Sequence, residues 1–208
     1  MMNVLLANLS QKDVLKATLL AFFVGGTTSI FVLTLQPTDS YTVWSIGNFL
    51  GNTGNDLFLL LSNLLILGWA WRRRLTSVIK LTLSLDLSVW ILVQGLKLIH
   101  LGHWYLRPNG GAGGFPSGHA AHAFGMAFLL SLYFPRFSWL WYSCAAAISW
   151  SRLETEWHSG LQITAGIILG TFLVWGLVVR WLTHPDYEVI QSEPLHSPLA
   201  ISQSYAAE

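Results

Sequence analysis

Apolar residues fill this chain in long unbroken runs separated by short polar stretches, without the two-residue alternation of a half-buried strand. Six runs stand out, at about 14–35, 46–71, 78–99, 117–134, 137–151 and 161–182. Stretches such as "LFLLLSNLLILGWAW" and "AGIILGTFLVWGLVV" have the continuity of helices that cross a bilayer, for which about 20 apolar residues suffice. An outer-membrane barrel would instead alternate polar and apolar positions in segments of about ten residues. The pattern predicts an all-α, polytopic membrane protein with six transmembrane helices. The fifth run is short, so its helix is expected to begin earlier or to lie obliquely.

Composition agrees. The 208 residues are 53% hydrophobic and 10% charged, where a soluble domain carries about 25% charged residues. The first run follows Lys12, Asp13 and Lys16, and no small-residue cleavage pattern follows it, so it reads as an uncleaved span rather than a signal peptide. Residues 183–208 contain three prolines and many polar residues without helical period. They are expected to form a disordered tail behind a single membrane domain at 1–182. The lone Cys144 excludes an intramolecular disulfide.

The net charge of +1 is uninformative, but its distribution is not. Six spans would gather Lys12, Lys16, Arg72, Arg73, Arg74, Arg136 and Arg180 on one side, with Lys80 close by and only Lys97, Arg107 and Arg152 on the other. The positive-inside rule then puts both termini in the cytoplasm, and "WRRRL" reads as a topology anchor. The loops after the first, third and fifth spans face the periplasm, the extracellular space or a lumen.

Three polar clusters fall on that outward side: "KLIHLGHWYLRP" from Lys97 to Pro108, "PSGHAAH" from Pro116 to His122, and "SRLETEWHSGLQ" from Ser151 to Gln162. Polar clusters from separate helices at one depth are how a site between helices of a bundle is built. Each suits a phosphate. Pro116 fits a first helical position, leaving the N–H groups of Ser117, Gly118 and His119 at a helix start that favours an anion. Arg107 and Arg152 offer planar forks that match phosphate oxygens. His158 and Gln162 are four residues apart, as on one helical face.

These clusters resemble the type 2 phosphatidic acid phosphatase family, membrane relatives of the vanadium haloperoxidases. The family pattern is a Lys, six residues and Arg-Pro; then Pro-Ser-Gly-His; then Ser-Arg, five residues, His, three residues and Asp. Here Arg107-Pro108, Pro116 to His119, and Ser151-Arg152 followed by His158 occupy it in order. The resemblance covers about 95–166. The chain departs at two positions: His100 stands where the family has lysine, with Lys97 a turn earlier, and Gln162 where it has aspartate.

The resemblance implies a six-helix phosphatase bundle and no metal or cofactor. His158 would be the nucleophile that forms a phosphohistidine, and His119 would protonate the departing alkoxide and later accept a proton from water. Arg107, Arg152, Ser117, Gly118 and Lys97 would bind the phosphate, with Gln162 holding the His158 tautomer and His100 auxiliary. The expected substrate is a lipid phosphate or diphosphate monoester, of the phosphatidic acid, phosphatidylglycerophosphate or isoprenyl diphosphate class. The expected partners are that substrate and membrane lipids, without nucleic acid. Transfer to a second lipid, and a degenerate member that binds or moves phospholipids, are the alternatives. Among the remaining residues, Asp56 is a candidate helper, and "GNTGND" at 51–56 either lines the site or breaks its helix. Asp86 marks an ion pathway or a hydrogen bond to a partner such as Asn63. Glu154 and Glu156 read as a solvated loop face, with tuning of Arg152 by either as the alternative, and Trp157 as an interface anchor or a helix-packing residue.

Overall fold

A computed structural model describes residues 9–99 and 102–182, and every regular element among them is helical. The expected tail at 183–208 lies outside the described residues, as do His100 and the side chain of His103. Helix α1 spans Gln11–Thr34 and is capped by Ser10, whose Oγ accepts from the Asp13 N–H at 3.1 Å. Helix α2, Tyr41–Phe49, passes through a π-helical turn at Leu50–Gly54 into α3, Asn55–Arg72, so that 41–72 forms one span. A tight turn leads to α4, Thr76–Leu98. Helices α5, Gly118–Tyr133, α6, Ser138–Glu154, and α7, Gly160–Leu182, complete the bundle.

Four of these rods are long and apolar enough to cross a membrane: Gln11–Thr34, Tyr41–Arg72, Thr76–Leu98 and Gly160–Trp181. Phe23, Leu64 and Trp90 are exposed on their outer surfaces, which suits lipid rather than water. The chain is an integral membrane protein. Helices α5 and α6 have 16 and 17 residues, about 24–26 Å of ideal helix, short of a hydrocarbon core of about 30 Å. The bundle compensates by enclosing α5. Phe124, Met126, Phe128, Leu129 and Leu130 are all fully buried, the pattern of a helix apolar all round and surrounded by others. Helices α1, α3, α4, α6 and α7 pack around it.

The tightest of these packings is α5 on α7, and small residues make it so. A Cβ built on Gly166 would collide with the Ser117 carbonyl oxygen, and one on Gly170 with the Ala121 carbonyl oxygen. Two glycines four apart on one face of α7 let the backbones approach as helices in membranes do. The Ser117 N–H also donates to the Gln162 carbonyl at 2.9 Å. The head of α5 is thereby fixed to the start of α7.

The segments at 35–40, 102–117 and 155–159 share one end of the bundle and are tied together. Glu154 is 3% exposed, and its carboxylate accepts from the Thr38 N–H at 3.1 Å and the Thr38 hydroxyl at 2.5 Å. This corrects the solvated-face reading of Glu154: an acid at the end of α6 is buried because the first loop donates to it. Glu156 is exposed, with φ at 56°. Deeper in the bundle, Asn63 Nδ2 donates to the Leu59 carbonyl at 3.1 Å, and the Asp86 carbonyl lies 3.4 Å from His122 Nε2.

Candidate active site

The loop that carries Arg107 is folded by its glycines. Gly110 and Gly113 have φ of 84° and 71°, values that side-chain-bearing residues rarely adopt. The turn is closed by Gly110 N–H to the Arg107 carbonyl at 2.9 Å and Arg107 N–H to the Gly111 carbonyl at 2.8 Å. Asn109 N–H donates to the Glu156 carbonyl at 3.2 Å, joining this loop to the one that carries His158. The second loop is closed by His158 N–H to the Arg152 carbonyl at 3.0 Å. Arg107, Arg152 and His158 are thus brought together by backbone bonds between segments about 50 residues apart in sequence.

His158 is 2% exposed, and its Nδ1 lies 2.7 Å from the Gly114 carbonyl oxygen. A carbonyl only accepts, so Nδ1 carries the proton and Nε2 presents its lone pair. Burial, then the positive charges of Arg152 and Arg107, push the imidazole down to about 3, with the Gly114 bond acting the other way. This histidine is therefore neutral at any ordinary pH, as a nucleophile requires. Because α7 begins at Gly160, His158 stands in the loop before the helix and not on a shared helical face with Gln162.

Gln162 consequently has a different place from the one expected. Its Nε2 donates to the carbonyls of Trp104 at 2.9 Å and Leu106 at 2.8 Å, and its Oε1 accepts from the Ser159 N–H at 3.0 Å. The His158 tautomer is held by Gly114, not by Gln162, because the amide is fully engaged in tying the Arg107 loop to the head of α7. A Cβ on Gly114 would collide with that amide. Gln162 thus backs Gly114, the residue that orients His158.

Helix α5 starts two residues later than its proline suggested. Ser117 is the N-cap and Gly118 the first helical residue, so Pro116 precedes the cap instead of opening the helix. The Ser117 Oγ accepts from Ala120 N–H at 3.5 Å, which leaves its own O–H to donate. The first N–H groups of the helix, on Gly118 and His119, have no helical acceptor by position. His119 follows Gly118 in the first turn of α5. The Lys97 stem packs against Gly113, about 3.6 Å from where a Cβ would stand. Of the expected site residues, Lys97, Arg107, Ser117, Gly118, His119, Arg152 and His158 all gather at this end.

Three further contributors emerge, and only the last was not raised by the sequence. The π-turn supplies the first: Arg152 Nη1 donates to the Gly51 carbonyl at 3.1 Å and to Asn52 Oδ1 at 3.3 Å. A π-turn displaces the regular hydrogen-bond ladder and frees a carbonyl for such a bond, so "GNTGND" both perturbs its helix and lines the site. Trp157 is the second, with the guanidinium carbons of Arg107 and Arg152 over its ring at 4.7 and 5.1 Å from the centroid. It stacks cations and is not a simple interface anchor. The third is the Gly114 carbonyl. Burial pulls the Arg107 guanidinium somewhat below its ordinary range, and an arginine stays charged regardless. The Nε atoms of Arg107 and Arg152 are buried and have no partner.

Two cations with unused donors stacked on one ring, a neutral histidine presenting Nε2 and a helix start lie at the same end of the bundle. Such a set can bind a tetrahedral dianion and attack its centre. Residues 99–185 match the model of the PAP2 superfamily. The bacitracin transport permease protein BcrC of Bacillus licheniformis is 36% identical over 67 residues, 32% of this chain and 32% of that protein. The match spans about a third of that relative's length. No solved structure matches the chain.

Proposed function

We propose that this chain, a PAP2 superfamily protein over residues 99–185, is a membrane phosphatase that hydrolyses a lipid phosphate or diphosphate monoester through a phosphohistidine. The observation that carries the reading is a buried histidine whose Nδ1 is engaged by a carbonyl, in a loop closed on the Arg152 carbonyl, next to a tryptophan that carries two arginines with unpartnered Nε atoms. His158 Nε2 attacks the terminal phosphorus, and its bond to the leaving oxygen, of the lipid alkoxide for a monophosphate or of the lipid monophosphate for a diphosphate, breaks as His119 gives that oxygen a proton. His119 then takes a proton from water, whose oxygen attacks phosphorus and releases His158 and inorganic phosphate. Arg107, Arg152, Lys97, the Ser117 hydroxyl and the Gly118 N–H hold the non-bridging oxygens as charge redistributes.

An exposed apolar girdle beside short loops favours an amphiphilic substrate, with its phosphate at head-group level and its chain in lipid. The basic residues at the opposite end of the bundle support a cytoplasmic position for that end and an outward-facing site. The test is phosphate release by the detergent-purified protein from phosphatidic acid, phosphatidylglycerophosphate and isoprenyl diphosphates. Release abolished in His158→Ala supports the reading, and release that persists contradicts it. An acceptor alcohol in place of water would make the same intermediate a transferase, which product analysis separates. The relative's printed name speaks of transport and motivates a second reading, a chain that binds or moves lipid. Lipid movement in vesicles surviving His158→Ala would favour it.

A further inference from the structure

Both phosphate-binding arginines meet the same side chain, and that side chain is neither acidic nor polar. Guanidinium groups are ordinarily steadied by carboxylates, which occupy their in-plane N–H donors and cancel their charge. The acid next along from Arg152 is Glu154, and Thr38 holds it. Instead the guanidinium carbons of Arg107 and Arg152 lie over the Trp157 indole. The face of an aromatic ring attracts a cation through its quadrupole and takes none of the in-plane donors. The donors that remain fit this: Arg152 spends Nη1 on Gly51 and Asn52, while the buried Nε of each arginine has no partner.

We propose that Trp157 is a positioning residue that sets the two arginines for the phosphate, holding two like charges together while leaving their edges free for its oxygens. The inference rests on the phosphatase reading. Trp157 also adjoins His158 within the loop closed on the Arg152 carbonyl, so one short segment fixes the nucleophile and both cations. Its contribution is to binding the phosphoryl group, through Arg107 and Arg152, and not to the proton transfers.

The test compares wild type with Trp157→Leu, which keeps bulk and removes the quadrupole, and Trp157→Phe, which keeps an aromatic face. Binding of inorganic phosphate is measured by calorimetry on each purified protein, alongside orthovanadate inhibition, KM and kcat, with thermal unfolding as the check on folding. Trp157→Leu is expected to weaken phosphate and vanadate about tenfold, within the range for desolvated cation–π pairs. KM should rise more than kcat falls, and Trp157→Phe should stay within about threefold of wild type. If Trp157→Leu melts early, the leucine–phenylalanine comparison is replaced by phenylalanine against wild type at raised salt. A phenylalanine protein weakened as much as a leucine one, or a folded Trp157→Leu that binds phosphate like wild type, overturns the proposal alone. Wild-type protein that neither binds phosphate nor releases it from any lipid overturns it together with the phosphatase reading.

Discussion

Gly51→Ala offers a sharp test of how Arg152 is held, because the structure fixes both the perturbation and its control. A Cβ at position 51 would stand 2.9 Å from Arg152 Nη1 and 2.8 Å from Ser151 Oγ, closer than such contacts allow. Both are ends of side chains, so the backbone need not yield and the protein should fold. What must yield is the guanidinium, which loses its 3.1 Å bond to the Gly51 carbonyl. A hydrogen bond to a charged group contributes about 1.5–3 kcal/mol, and the displaced arginine no longer meets the transition state. The expected result is a fall in kcat/KM of about 10–100-fold, since each 1.4 kcal/mol is about tenfold. The control is Gly54→Ala in the same π-turn, where the nearest atoms stand at 3.5 Å, an ordinary contact. Phosphate release from a short-chain phosphatidic acid in micelles, with thermal unfolding in parallel, reads both variants. A folded Gly51→Ala protein with wild-type kcat/KM would refute the account of Arg152.

Other perturbations give equally definite outcomes. Gln162→Asp should lower activity and melting temperature, because it removes both donations to the Trp104 and Leu106 carbonyls and faces them with a carboxylate; higher turnover would restore Gln162 to the orienting role. Gly170→Val should cost about 1–3 kcal/mol by forcing α7 off the Ala121 carbonyl, read as a lower melting temperature in detergent. Glu156→Gly should raise it, since a non-glycine residue at φ 56° costs about 1–2 kcal/mol; an unchanged value would remove that strain from the account. For pH, His158 lies far below its unfolded value, near 3. The unfolded chain therefore binds the extra proton first, and stability falls as pH drops from about 6.5 towards 3. For the same reason the acid limb of kcat/KM should not report His158 near pH 6, and a pH–rate profile of wild type would show whether it does.

Much of this was legible in the sequence, and the parts that were not share a cause. Long apolar runs set the helices to within a few residues, and charged or turn-forming residues between them set the loops. The arginines, Ser117 and His158 were legible because few other residue types bind phosphate at a membrane edge. The orientation of His158 was not legible, since its partner is a backbone carbonyl and any residue at position 114 has one. The π-helical form of Leu50–Gly54 was not legible because its hydrogen-bond shift leaves no compositional mark beyond two glycines and one asparagine. Trp157 looked like an interfacial aromatic, and only folding placed two guanidinium groups over it. Gln162 was misassigned because its spacing from His158 suggested a shared helix that begins only at Gly160.

The central claim is that His158 Nε2 becomes phosphorylated by a lipid phosphate. The direct measurement is rapid acid-free quenching of the purified protein with phosphate-labelled phosphatidic acid or isoprenyl diphosphate, followed by peptide mapping of the bound label. The account predicts an acid-labile, base-stable adduct on the peptide containing His158, absent from His158→Ala. Label on another residue, or undiminished phosphate release from His158→Ala, would contradict it.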